Sequence, residues 1–116
     1  MRSSNETSRD QPEEAAAPSD LLHDLRPHAA LAVRLLKAMA HEERLLILCR
    51  LLAGECSAGE LARDSALSQS AFSQHLTVLR GEGLVTSRKE AQTVFYSLAR
   101  PDVADILYVL KRSCGA

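Results

Sequence analysis

The chain has 116 residues, which suits one domain of ordinary size and leaves no room for a second, catalytic one. Its apolar content is 46%, yet tryptophan is absent and only Phe72, Phe95, Tyr96 and Tyr108 are aromatic, so the core has to be built from Leu, Ala, Val and Ile, as in packed helices. The formal net charge of −1 is unevenly spread. Arg2 and Arg9 stand against Glu6, Asp10, Glu13, Glu14 and Asp20, a balance of −3 over Met1 to Asp20, and the rest of the chain carries +2. A mild positive excess suffices for nucleic acid if it is gathered on one face, because phosphate neutralisation is local.

The first stretch, residues 1–20, is polar and acidic with two prolines and has no apolar spacing that could define a buried face. It reads as a disordered acidic arm preceding a domain over 21–116. A basic start followed by an apolar run would mark a secretory signal, and about 18 consecutive apolar residues a membrane span. Neither pattern occurs, and a cytoplasmic protein is expected. Cys49, Cys56 and Cys114 are odd in number and are then expected as thiols.

From Leu21 to Ala53 helix formers dominate. Leu31, Leu35, Ala38 and Met39, and then Leu45, Leu48, Leu51 and Leu52, recur at helical spacing. Pro27 marks a first turn or a kink. The apolar stripe changes phase near His41, which predicts two helices there, and Gly54 ends the second. Ser57-Ala58-Gly59-Glu60 has the spacing of a capping box, so a short helix is predicted over 58–64. Ser65-Ala66-Leu67 is a turn. Ser68 or Ser70 caps the next helix, which runs to about Arg80 with Phe72, Leu76 and Leu79 inward. Gly81 and Gly83 close it.

LVTSRK and TVFYSL then read as two short strands around Glu90-Ala91-Gln92, a hairpin. Pro101 opens a last helix with Asp102 in its first turn and Val103, Ile106, Leu107 and Leu110 on one face. The predicted fold is mainly α with a small β-hairpin: four helices, two strands, one helix. Two helices joined by a tight turn and followed by a hairpin make a winged helix-turn-helix. So small a domain leaves much surface unburied, and a homodimer is expected to complete its core.

The outward residues of the second motif helix carry the functional argument. Gln69, Ser70, Ser73, Gln74, His75 and Thr77, with Ser68 before them, donate and accept hydrogen bonds, and Gln69 to Val78 contains no Lys, Arg, Asp or Glu. An ordinary solvated face would carry several charged pairs. A helix that reads base edges in the major groove carries amides and hydroxyls. Arg80 at the helix end and Arg88, Lys89 and Gln92 on the hairpin are candidate backbone contacts. The expected partner is double-stranded operator DNA. Ser73 beside His75 also suggests a nucleophile and base, but a catalytic site needs an orienting group and a concave pocket, and no enzyme activity is expected. A winged-helix module that binds only protein stays open as an alternative.

The run ALSQSAFSQHLTVLRGEGLVTSRKEAQTVFYSL resembles the signature of ArsR-family repressors, a recognition helix of the type SQ-x-x-x-SxHLxxL followed by GLV and an aromatic wing. LLKAMAHEERLLILCRLLAGECSAGELA resembles the segment that precedes it in that family. The resemblance covers about Leu31 to Leu98. It implies a dimeric repressor whose first and last helices form the dimer interface and whose operator is released by an inducer.

Many ArsR-family proteins bind thiophilic metals through a C-x-C pair at the start of the first motif helix. The pair falls here on Ser57 and Gly59, with Cys56 one position early, and residues 101–116 contain no histidine for a site between last helices. No metal and no cofactor are therefore expected, with a metal(loid)-responsive repressor as the alternative. One branch of the family senses persulfides or other oxidants with a cysteine in the second helix before L-x-x-G-E and another near the end of the last. Cys49, in LILCRLLAGE, matches the first, and Cys114 lies about two residues beyond the second. The resemblance implies a Cys49/Cys114 redox pair, joined either directly or through inserted sulfur atoms, with reactive sulfur or another oxidant as inducer. Arg50 or Arg112 would favour the thiolate.

Overall fold

The computed structural model describes residues 18–63 and 65–115. The chain divides into two compact units, Met1–Arg34 and Leu35–Ala116. In the first, α1 (Pro18–Leu25) leads into a 3-10 turn, Arg26–His28, with Pro27 in it, and then into α2 (Ala29–Met39). The proline lacks an N–H and fixes φ, so it sits where a helix starts afresh. Helix α1 begins at Pro18, three residues before the expected domain edge; the rest of the predicted arm, 1–17, lies outside the described residues. Leu21, Leu22, Leu25 and Leu31 are all exposed in this chain, at 46–65%.

The second unit takes the end of α2 and then α3 (Glu42–Leu51), β1 (Cys56–Ser57), α4 (Ala58–Arg63), α5 (Gln69–Gly81), β2 (Val85–Glu90), β3 (Thr93–Leu98) and α6 (Asp102–Ser113). The break between α2 and α3 falls at His41 as the change of phase predicts. His41 is extended and its Nδ1 accepts the Glu43 amide, which caps α3, and Glu42 and Glu43 place negative charge in its first turn. The capping box before α4 is reciprocal: Ser57 N donates to Glu60 Oε1 at 2.8 Å, and Glu60 N to Ser57 Oγ at 3.1 Å.

Ser68, one of the two serines considered, caps α5 by accepting from Ala71 N at 3.2 Å. At the other end Gly83, at φ +78°, donates to Arg80 O, and Leu84 N reaches back to Leu79 O at 2.9 Å. These two bonds make a Schellman closure, and its usual apolar contact is supplied by Leu79 and Leu84, both fully buried.

Strands β2 and β3 form the expected antiparallel hairpin, in register from Val85 opposite Leu98 to Glu90 opposite Thr93, around the two-residue loop Ala91-Gln92. A third strand, which the sequence reading lacks, joins them. Cys56 pairs with Tyr96 and Ser57 with Phe95, so the sheet order is β1-β3-β2. Two residues are too few to show an alternating pattern. The core gathers Leu48 from α3, Leu79 from α5, Leu84 and Val85 at the base of the hairpin and Val103 from α6, with Ala38 and Met39 joining from the end of α2. Burial of these aliphatic side chains, about 25 cal/mol per Å² of apolar surface, seats α5 on the frame and leaves its other face to solvent.

Candidate nucleic-acid interface

At 100° per residue, Gln69, Ser70, Ser73, Gln74, Thr77 and Arg80 fall on one arc of α5 about 140° wide. All six are exposed. Ala71, Phe72, His75, Leu76 and Leu79 fall on the opposite arc, and Phe72, Leu76 and Leu79 are buried there. The outward face is therefore a strip of two amides and three hydroxyls with one cation at its end. Thr77 Oγ1 donates to Ser73 O at 2.9 Å and keeps its acceptor lone pairs outward. Arg80 Nη1 reaches Ser87 Oγ at 3.4 Å, which steers the guanidinium toward the hairpin.

His75 departs from the expectation. It lies on the inner arc, half-buried, and its Nδ1 meets Arg44 Nη1 at 3.1 Å while its ring lies 4.1 Å from that of His41. Burial lowers its pKa first of all, and His41 and Arg44 lower it further. The same geometry removes it as a partner for Ser73, which faces away.

Arg88, expected as a phosphate contact, is exposed but ion-paired within the domain. Nε and Nη2 each donate to a Glu55 carboxylate oxygen at 2.8 Å, Nη1 donates to Glu90 at 3.2 Å, and the guanidinium carbon lies 4.6 Å from the centroid of Phe95. The hydrogen bond to Arg88 holds the Glu55 carboxyl below its usual range, and Glu55 in turn raises Arg88. Lys89 and Gln92 stand exposed on the hairpin and its loop. Glu55, Arg44 and His41 were missed in the sequence.

All three cysteines are free thiols. Cys56 is buried in β1, with its Sγ 3.7 Å from Gly54 O. Cys49 on α3 and Cys114, which caps α6, are both exposed. Among the described residues no three His, Cys, Asp or Glu side chains are grouped to hold a metal ion, and no helix is long and apolar enough to cross a membrane.

Residues 41–87, from the cap of α3 to the hairpin, match the family described as bacterial regulatory protein, arsR family. The transcriptional activator HlyU of Vibrio cholerae is 55% identical over 91 residues, which are 78% of this chain and 84% of HlyU. This chain belongs to the ArsR family. The solved structure of reduced HlyU superposes with a TM-score of 0.71 at 55% identity, covering 78% of this chain and 96% of that one. The transcriptional repressor BigR from Xylella fastidiosa superposes at 0.73 with 34% identity, over 78% of this chain and 92% of BigR. A homodimeric winged helix-turn-helix domain of Mycobacterium bovis, Mb0332, superposes at 0.68 with 28% identity, over 78% and 83%. As an ArsR-family protein the chain is a transcriptional regulator with a winged helix-turn-helix fold and not an enzyme. Of the strip on α5 and the hairpin cations, Arg88 alone has its charge bound within the domain.

Proposed function

We propose that this protein is a homodimeric repressor that holds operator DNA with the outward face of α5 and is released by oxidation of Cys49 and Cys114. The observation that carries the DNA reading is the α5 strip: Gln69, Ser70, Ser73, Gln74 and Thr77 share one exposed face with no charge among them and Arg80 at its end. Amides and hydroxyls pair with base edges, while Arg80 and Lys89 meet phosphates. Homodimerisation is supported by the homodimeric relative and by exposed apolar side chains on α1, Leu21, Leu22 and Leu25, and on α6, Tyr108 and Val109. Acting on operator DNA places it in the cytoplasm.

The thiol switch is supported by the exposure of both sulfurs and by the likeness of LILCRLLAGE to the thiol-sensing branch. Cys49 on α3 lines an open cavity of about 430 Å³ with Arg50 and Phe72, and Cys114 caps α6. With a persulfide RSSH, the Cys49 thiolate attacks the outer sulfur and becomes a persulfide as RSH leaves. The Cys114 thiolate then attacks the Cys49 sulfur and expels HS⁻. Two thiols are oxidised to one disulfide, and RSSH is reduced to RSH and H₂S. The bond would fasten α6 to the helix on which α5 is seated, favouring a state unfit for DNA.

Fluorescence anisotropy of the fully reduced protein on DNA from its own upstream region tests this, repeated after a persulfide donor and, separately, after zinc and arsenite. Release by the persulfide alone, reversed by reductant and lost in Cys49→Ser, is the expected result. Release by a metal alone, or a normal persulfide response from Cys49→Ser, overturns the switch.

A further inference from the structure

The side-chain cluster that joins α3 to the inner arc of α5 has no part in the reading above. Arg44, half-buried on α3, divides its guanidinium among three acceptors. Nε donates to Ala38 O at 2.6 Å, Nη2 to Lys37 O at 3.3 Å and Nη1 to His75 Nδ1 at 3.1 Å. The two carbonyls belong to the last turn of α2, so one side chain fastens the end of α2 and the middle of α5 to α3 at once.

Arginine only donates, so its bond to His75 needs the Nδ1 lone pair, which assigns His75 as neutral with its proton on Nε2. Beside it, His41 accepts the Glu43 amide on its own Nδ1 at 3.1 Å as the cap of α3. The two rings lie 4.1 Å apart at 43°. A proton on His75 Nδ1 abolishes the bond it accepts from Arg44 and adds a positive charge beside that guanidinium.

The groups acting on the charge of His75 are His41, Arg44 and Glu43, all on α3 or its cap. Burial, His41 and Arg44 oppose protonation, and Glu43 alone favours it. The Glu43 carboxylate also accepts the Ser65 hydroxyl at 3.1 Å, from the turn that precedes α5. On the hairpin, which packs on α5 as well, Arg88 is bound to Glu55 and Glu90.

We propose that Arg44 is a positioning residue that fixes the DNA-reading helix through neutral His75, and that a proton on His75 Nδ1 breaks this hold, so that operator binding weakens on acidification. The inference rests on the DNA reading of α5. Because the folded His75 favours its neutral form, the contribution of the clamp is complete above the ordinary imidazole value of about 6.5. It is lost as pH falls through the lower, folded value. The effect runs against the general trend, since protonated histidines near DNA add attraction to phosphate.

The test measures operator and non-specific DNA affinity from pH 7.5 to 5.5 at fixed ionic strength, beside an NMR titration of the imidazoles in the DNA-free protein, with circular dichroism to confirm folding. The wild type is expected to lose about two- to fivefold in operator affinity over this range, as one imidazole with a lowered value allows, with no matching loss on non-specific DNA. His75→Gln, whose amide oxygen accepts from Arg44 without titrating, is expected to lose this decline whatever its starting affinity. Arg44→Gln should raise the pH at which His75 titrates, because it removes a positive neighbour.

An operator affinity that is flat or rises on acidification in the wild type overturns the proposal. So does an equal pH dependence in His75→Gln, or a His75 that titrates at or above the ordinary value. Absence of operator binding at every pH overturns the operator half together with the reading it rests on, and the imidazole titration still judges the clamp.

Discussion

Arg88 and Glu55 are 33 residues apart in sequence and form a two-pronged ion pair, both bonds 2.8 Å long, across the face of Phe95. Glu55 follows the end of α3, so the pair fastens the hairpin to the loop between α3 and β1. Both Arg88 and Lys89 are exposed, but the Arg88 charge is engaged by Glu55 and Glu90, so a phosphate would have to displace a carboxylate to reach it, whereas among the described residues no carboxylate is paired with Lys89. Lys89→Ala is therefore expected to reduce the slope of log affinity against log salt by about 0.9, the value of one phosphate contact. Arg88→Ala should leave that slope nearly unchanged. Anisotropy titrations at four salt concentrations check both, and a full unit lost in Arg88→Ala would show that the pair opens on DNA.

The capping box ahead of α4 links stability to pH. Ser57→Ala removes the acceptor of the Glu60 amide and should cost about 1 kcal/mol, the usual worth of such a cap. The backbone hydrogen bond from Ser57, above all, holds the Glu60 carboxyl below its ordinary value. A carboxylate with a depressed folded pKa stabilises the fold above its unfolded value and ceases to do so as pH falls through the folded one. Glu60→Gln should accordingly flatten the decline of the melting temperature between neutral and acid pH. An unchanged decline in thermal melts would assign the acid sensitivity to other carboxylates.

At the tip of the hairpin Ala91 has φ +54°, a left-handed conformation that a Cβ makes costly. Tight two-residue hairpin loops favour glycine or asparagine at such a position. Ala91→Gly is expected to raise stability by about 0.5–1 kcal/mol, the relief of strain being partly offset by the entropy of glycine. Chemical denaturation of the two proteins decides this, and a destabilised variant would mean that the left-handed backbone costs nothing here.

The elements were largely legible because their signals are local. The phase change at His41, the Ser57-x-x-Glu60 spacing, the serine ahead of α5 and the two runs LVTSRK and TVFYSL on either side of a turn all have the partners that their order implies. What stayed hidden depends on distant partners. Strand β1 exists only through Tyr96 and Phe95 some forty residues on, and nothing near Arg88 announces Glu55. His75 is a different case. Its spacing from Phe72 and Leu79 already places it on the inner arc, but its polarity drew it to the reading face. A polar residue at an apolar position of a helix calls for a buried partner, here Arg44, before it calls for a ligand.

The division of labour on α5 has a sharper consequence for Gln74. Its amide both donates and accepts, which allows a two-pronged bond to adenine, and it shares an exposed arc with Ser70, Ser73 and Thr77. If it reads a base, Gln74→Ala loses about 1–3 kcal/mol on the cognate operator and almost nothing on an operator altered at that one base pair, with the salt slope intact. If it lies on the backbone, every operator weakens alike. Arg80→Ala is the internal contrast, with a uniform loss and a slope smaller by about 0.9. Competition anisotropy with singly substituted operators separates these outcomes, and a uniform loss from Gln74→Ala would move base reading to Gln69 and Ser73, the other polar side chains toward the start of the same arc.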